Sequence, residues 1–214
     1  MIYYKTQKEI DLIAQSCQIL AEVLAQVAKA VQPGVGTKNL NDLAEELISA
    51  KGGKPAFKNY QISAKDRPFP TALCASINDE IVHAPAEPDW VLKEGDIIGL
   101  DLGVEYKGFF SDMAVTVRVG EISDEARKLL NVTKECLDRG LAQFKEGNTL
   151  YDVAKAIQDY VEANGFSVVR ELVGHGVGKA VHEDPRVPNY VTEEAKYIEI
   201  KKGMVVAIEP MVNI

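Results

Sequence analysis

Two apolar runs joined by a short turn constrain the fold of this chain more than any other feature of its sequence. One run covers residues 96–103 and the other covers residues 108–120. Runs of this kind on either side of a turn at residues 105–108 predict a β-hairpin. The hairpin commits the middle of the chain to antiparallel sheet.

The register of this hairpin brings two acidic residues together. Centred between Tyr106 and Lys107, the turn pairs Asp101 with Asp112 across the ladder. At about 4 Å and an effective dielectric constant near 20, two carboxylates repel each other by roughly 4 kcal/mol. A shifted register, a proton on one aspartate or a bound cation would relieve this repulsion. Because a shifted register would move apolar side chains onto new faces, a metal ion is the most economical interpretation.

Apolar side chains recur at helical spacing in four segments. The first predicted helix begins at the capping box of residues 6–9 and ends at residues 32–34, and the second covers residues 40–48. The third extends from residue 123 towards Gly147, and the fourth covers residues 149–164. Residues 40–47 are matched by residues 150–157, a weak internal repeat.

Strand-like segments follow each copy of this repeat. Residues 71–77, residues 80–83 and the hairpin follow the first copy, and residues 167–174 and 203–208 follow the second. Two α+β halves around one sheet system would bring the polar residues of these segments to a shared centre.

Composition excludes several classes of partner and location. A net charge of −8 argues against nucleic acid or an anionic membrane as the main partner. No segment is expected to be apolar over the length that a bilayer requires, and no signal peptide is visible. Three widely spaced cysteines fit a reducing compartment better than a disulfide framework. We therefore expect a cytoplasmic protein.

Two further residues carry the chemistry of the predicted site. His175 lies between two glycines, which leave its imidazole accessible. Glu209 ends the apolar run of residues 204–208, where a carboxylate is costly unless it is paired with a Lys or Arg or binds a metal. With Asp101 and Asp112, these residues form an oxygen-rich set without thiolate. Such a set favours Mn, Fe, Co or Zn in a hydrolytic site over structural zinc.

The other two histidines, His83 and His182, do not have the spacing of metal ligands. Each could be an ordinary surface or core histidine. Beside a metal site, an imidazole can stabilise the oxyanion or the leaving nitrogen of a tetrahedral intermediate. We interpret both as hydrogen-bond donors of this kind.

Taken in order, residues 76–83, the hairpin with its two aspartates, residues 174–185 and residues 208–211 resemble the motifs of type I methionine aminopeptidases. The resemblance covers nearly all of the chain. It implies an α/β (α+β) pita-bread fold, in which two pseudo-symmetric halves of helices pack on a curved, mostly antiparallel sheet. It also implies removal of the initiator methionine from nascent polypeptides whose second residue is small.

The resemblance further implies roles for individual residues. The ligands of a centre of two divalent ions, Co, Mn, Fe or Zn, would be Asp101, Asp112, His175 and Glu209. Glu209 would also handle the proton of the attacking hydroxide, His83 and His182 would contact the substrate, and Tyr60, Phe69 and Cys74 would line the pocket for the methionine side chain.

The resemblance also bears on the extent and the partners of the domain. The family has a fifth ligand, a bridging glutamate on a strand beyond that of Glu209, and this chain stops at Ile214 before it. We therefore expect residues 1–214 to form a single metallopeptidase catalytic domain that is truncated at its C-terminus. We also expect a monomer that acts near the ribosome, without direct nucleic-acid or membrane binding.

Two alternatives stay open at this stage. An Xaa-Pro peptidase has similar ligands, although these enzymes usually carry a large N-terminal domain. A non-catalytic peptide-binding module of the same fold would not need His83, His175 and His182.

Overall fold

The computed structural model describes residues 1–61, 63 and 65–214, and internal contacts divide the chain into two units. We call the first the hairpin unit, which comprises Asp11–Ser123 and Gly178–Val181. The second, the histidine unit, comprises Met1–Ile10, Asp124–Val177 and His182–Ile214. The expectation of one catalytic domain stays a prediction.

The four predicted helices are present. They are α1 (Gln7–Ala30), α2 (Thr37–Ala50), α3 (Asp124–Gln143) and α4 (Leu150–Ala163), and a short 3₁₀ helix covers Glu194–Tyr197. The capping box predicted for α1 is confirmed, because the backbone N–H of Thr6 donates to Oε2 of Glu9 at 2.8 Å. In α4, the backbone N–H of Thr149 donates to Oδ2 of Asp152 at 2.7 Å in the same way. These bonds satisfy N–H groups that a helix start leaves unpaired.

By length and composition alone, α1 could cross a membrane. The expectation that no segment would be long and apolar enough to cross a bilayer was therefore wrong. Core helices of soluble proteins pass the same test, and one face of α1 is buried inside the protein. That face consists of Ile13, Ser16, Leu20, Val23, Leu24 and Val27.

The sheet of the hairpin unit is built around one long central strand. Its strands are β1 (Lys54–Pro55), β2 (Leu73–Ile77), β3 (Ile97–Tyr106) and β4 (Phe109–Arg118). β3 pairs with β4 along its whole length and with β2 and β1 in two separate stretches, and all these pairs are antiparallel. The apolar residues of β3 pack in one core with side chains of α1 and α2. They are Ile98, Leu100, Leu102 and Val104, all fully buried. The intervening residues, Asp101 among them, lie on the opposite face.

The turn of the hairpin differs from the prediction. Tyr106 pairs with Phe109, so Lys107 and Gly108 form a two-residue turn. Their φ values are 51° and 80°, which match a type I′ turn. The centre of the turn therefore lies between Lys107 and Gly108, one residue later than predicted.

As a result, the predicted pairing of the two aspartates was wrong. Asp101 pairs with Ala114, and Asp112 pairs with Gly103. The register differs by two residues, and because side chains alternate with a period of two, both carboxylates still lie on the same face. Diagonal neighbours in a sheet are about 7 Å apart, where the repulsion at an effective dielectric constant near 20 falls to about 2 kcal/mol.

The histidine unit contains shorter strands. They are β5 (Ser167–Val168), β6 (Gly174–Gly176), β7 (Glu183–Val187), β8 (Val206–Ala207) and β9 (Val212–Asn213). β6 lies between β7 and β8, while β5 pairs with β9. In the described part of the chain the strands thus form three sheets rather than one sheet system, and residues 167–174 and 203–208 are only partly extended. The buried faces of α3 and α4 form the core of this unit.

Candidate metal centre

In the hairpin unit, Asp101 lies beside a small apolar cluster. It pairs with Cys74 of β2, so both side chains point away from the helices. Cys74 is buried and packs with Tyr60 and Phe69 in one cluster, which also contains Phe57. The three residues expected to line a methionine pocket are therefore together, next to one of the expected metal ligands.

Burial raises the pKa of the Cys74 thiol, and the nearby carboxylates of Asp101 and Asp112 raise it further. A buried thiol beside negatively charged groups is a poor nucleophile, because little of it is present as thiolate. Cys74 is free, as are Cys17 and Cys136.

We therefore predict that Cys74 resists alkylation. At pH 8, iodoacetamide should modify Cys74 in the native protein at least about 100-fold more slowly than in the guanidinium-unfolded chain, because modification requires local opening. Peptide mass spectrometry measures both rates. Cys17, which is partly exposed, is the internal comparison. Equal native rates for Cys74 and Cys17 would contradict the burial of Cys74.

His83 does not lie on a strand, so the strand predicted for residues 80–83 was wrong. It is exposed and has a φ of 61°, in the left-handed region that residues other than glycine rarely adopt. The chain then runs alongside β2, where Ala75 donates its N–H to the carbonyl oxygen of Ala84 and Pro85 bridges to Cys74. The structure therefore places His83 two residues before Pro85, the residue that pairs with Cys74.

In the histidine unit, β6 holds His175 between Gly174 and Gly176, and all three residues are buried. Nδ1 of His175 lies 2.9 Å from the carbonyl oxygen of Gly176. Because a carbonyl oxygen only accepts hydrogen bonds, the ring hydrogen lies on Nδ1. When the ring is neutral, Nε2 presents a lone pair, the form in which histidine binds metal ions.

Nε2 of His175 faces Glu209. Nε2 of His175 lies 3.2 Å from Oε1 of Glu209. Oε1 is buried and accepts no hydrogen bond from residues 1–61, 63 and 65–214. Two acceptors at this distance repel each other unless they share a cation, either a proton on the ring or a metal ion. The pair therefore has the donor chemistry of a metal centre, and its role as a ligand pair stays a prediction.

His182 is exposed and lies beside His175. The centroids of the two rings are 4.2 Å apart, with an angle of 53° between their planes. His182 immediately precedes β7, the strand that pairs with β6. The histidine unit thus brings together three of the expected site residues.

Sequence reasoning missed Asn189, which is fully buried. Its Nδ2 donates to the backbone carbonyl oxygen of Glu209 at 2.7 Å. This bond fixes the backbone that carries the Glu209 carboxylate. No motif indicates such a role, although a polar residue directly after Val187 and Pro188 is a weak sign of a buried hydrogen bond.

Each unit presents two of the four expected ligands. Across residues 1–61, 63 and 65–214, the structure contains no group of three or more His, Cys, Asp or Glu side chains that could hold a metal ion. The complete ligand set therefore stays a prediction.

Known proteins resemble this chain over nearly its full length. A model of metallopeptidase family M24 matches residues 11–214. The methionine aminopeptidase of Clostridium perfringens is 45% identical over 213 residues, which are 100% of this chain and 82% of that protein. Methionine aminopeptidase 1 of Bacillus subtilis is 44% identical over 213 residues, with 100% and 83% covered.

Two solved structures extend the comparison. The crystal structure of methionine aminopeptidase from Thermotoga maritima superposes with a TM-score of 0.93 at 40% identity, covering 99% of this chain and 82% of that one. Prolidase from Pyrococcus furiosus superposes with a TM-score of 0.77 at 25% identity, covering 97% of this chain and 57% of the prolidase chain. These likenesses confirm the pita-bread fold class expected from the sequence.

Proposed function

The chain belongs to metallopeptidase family M24, and from this premise we propose that it is a methionyl aminopeptidase, which removes the initiator methionine from nascent polypeptides with a small second residue. The observation that carries this proposal is the identity of 44–45% with methionine aminopeptidases along the whole chain. An Xaa-Pro peptidase is less favoured, because the prolidase is only 25% identical and this chain covers 57% of it. A binding module without catalysis is not favoured either.

Divalent metal binding follows from the family, and we assign it to Asp101, Asp112, His175 and Glu209. Nε2 of His175, which lies 3.2 Å from a buried oxygen of Glu209, supports this assignment in one unit. Two carboxylates on one face of the hairpin support it in the other. We propose that two divalent ions bind, and that they are ions of Co, Mn, Fe or Zn. Once bound, they would polarise the scissile carbonyl and lower the pKa of a water molecule.

The remaining chemistry belongs to side chains of this protein. Glu209 is the proposed acceptor for the proton of the attacking water, since its side chain is partly exposed beside His175. His83 and His182 are exposed and are the proposed hydrogen-bond donors to the developing oxyanion and the leaving nitrogen. Removing either donor should slow catalysis without removing the metal ligands.

Substrate selection rests on the apolar cluster in this proposal. Tyr60, Phe69 and Cys74 would form the wall against which the unbranched methionine side chain packs. We place the protein in the cytoplasm as a monomer that meets nascent chains at the ribosome, without direct nucleic-acid or membrane binding.

The test is a comparison of peptides that differ only in their first two residues. A peptide that begins with Met-Ala should be cleaved at least about 100-fold faster, in kcat/KM, than the same peptide with Met-Ile at its start, because the site must exclude a large second side chain. It should also be cleaved at least about 100-fold faster than the same peptide with Ala-Pro at its start, because Ala-Pro has no methionine side chain for the pocket. Met-Ile is the start of this chain itself. Chelation should abolish cleavage, and added Co, Mn, Fe or Zn should restore it.

The outcomes separate the three candidate functions. Faster cleavage of the Ala-Pro peptide would favour an Xaa-Pro peptidase. Peptide binding without release of methionine, at saturating metal, would favour a binding module. Equal rates for Met-Ala and Met-Ile peptides would contradict the proposed specificity.

A further inference from the structure

A partly buried ion pair joins the start of the chain to the segment that follows His182. Nζ of Lys5 lies 2.6 Å from Oε2 of Glu183, and the two side chains are 1% and 13% exposed. Removing both charges from water is costly, and an apolar pair of similar volume is often at least as stable. A pair of this kind is therefore weak evidence of a purely stabilising role.

The ion pair is held in place from both sides. Glu183 is the first residue of β7 and pairs with Gly176, the residue after His175. The backbone N–H of Lys5 donates to the carbonyl oxygen of Gly203 at 2.7 Å. A Cβ atom on Gly203 would lie 2.7 Å from the carbonyl oxygen of Lys5, so the two backbones approach as closely as glycine permits.

Other contacts bind the same N-terminal arm, which we define as residues 1–5. The terminal ammonium group of Met1 forms an ion pair with Asp184. The hydroxyl of Tyr3 donates to Glu9 at the start of α1. Both acidic residues that directly follow His182 therefore contact the arm.

We propose that Lys5 is a positioning residue for His182. Its ion pair with Glu183 fixes the backbone next to His182 and so holds the exposed imidazole in the orientation in which it lies 4.2 Å from the ring of His175. The arm lies outside residues 11–214, the part of the chain that the family model matches. The catalytic consequence rests on the proposed function, whereas the structural consequence does not.

The structural consequence can be measured in the metal-free protein. Because the chain has three histidines, labelled histidine gives three imidazole signals in an NMR spectrum, and single His→Gln variants assign them. At one fixed pH, Lys5→Met should shift or broaden the His182 signal and leave the His83 signal unchanged. Lys155→Met, which breaks an exposed ion pair with Asp159 on α4, is the matched control and should change none of them.

A double variant separates positioning from folding. Lys5→Met alone leaves the partly buried carboxylate of Glu183 without the Lys5 ammonium group and is expected to destabilise the fold. Lys5→Met with Glu183→Met instead replaces the pair by apolar side chains of similar length. The double variant should recover the thermal midpoint of the parent chain and still show the altered His182 signal. A parent-like His182 signal in this stable double variant would overturn the proposal.

Kinetics provide the second readout. In the double variant, kcat for a Met-Ala peptide should fall about 10-fold to 100-fold with KM changed less than about twofold, as for residues that orient a functional group. In a His182→Ala background, the same two substitutions should cause no further loss. Additive losses would contradict a role through His182. If the parent chain releases no methionine, the proposed function fails, and the His182 signal alone decides this proposal.

Discussion

Replacing His175 by alanine is expected to lower kcat/KM for a Met-Ala peptide by about 10³-fold or more and to weaken divalent-metal binding at least about 100-fold. The factor of 10³ corresponds to about 4 kcal/mol of transition-state stabilisation, the order that a bound Lewis acid supplies. Nε2 of His175 lies 3.2 Å from Oε1 of Glu209, and the other ring nitrogen cannot replace it as a ligand, because Nδ1 lies 2.9 Å from the carbonyl oxygen of Gly176.

Calorimetric titration with Mn²⁺ or Co²⁺ measures the metal affinity, and release of methionine measures the activity. Glu209→Gln, which keeps the shape of the side chain but removes its charge, should cause a comparable loss of both. Lys155→Met on the exposed surface of α4 is the control variant, and its metal affinity and activity should equal those of the parent chain. If His175→Ala changes the thermal midpoint but leaves metal affinity intact, a shared proton rather than a metal ion joins His175 to Glu209.

The helices were predictable because their signals are local. The capping box at Thr6 and Glu9 and the apolar spacing along α1 and α4 depend on residues within a few positions of each other. The register of the hairpin was harder to predict from the sequence. Lys107 occupies a left-handed position that sequence preference assigns to Asn, Asp or Gly, so the turn was placed one residue early.

The site residues were recognised by their chemistry, while the backbone that holds them was not. His83 has a left-handed conformation that residues other than glycine rarely adopt. β6 contains only three residues, and it is defined by its pairing with β7 and β8 rather than by a local pattern. The side chains of Asn189 and Lys5 contact Glu209 and Glu183, residues far away in the sequence, and no local pattern encodes these contacts. The number and the element of the bound ions also depend on geometry that donor types alone do not fix.

Gly176→Ala is expected to destabilise the protein by about 3 kcal/mol, which lowers the thermal midpoint by about 6–12 °C for a chain of this size. A Cβ atom on Gly176 would lie 2.2 Å from the carbonyl oxygen of Asp184 and 3.0 Å from that of Glu183. Both atoms belong to the backbone of β7, which cannot rotate away as a flexible side chain could. β6 and β7 would have to separate where the ladder already shifts register.

Gly99→Ala is the matched control, because Gly99 also lies within a strand but its nearest neighbour to an added Cβ is 3.7 Å away, an ordinary contact. Its thermal midpoint should remain within a few degrees of that of the parent chain. Since Gly176 accepts the hydrogen bond that fixes the His175 ring, Gly176→Ala should also lose activity well below its unfolding temperature. A thermal midpoint for Gly176→Ala equal to that of Gly99→Ala would show that β7 can yield, and that the glycine beside His175 is not required by this close approach.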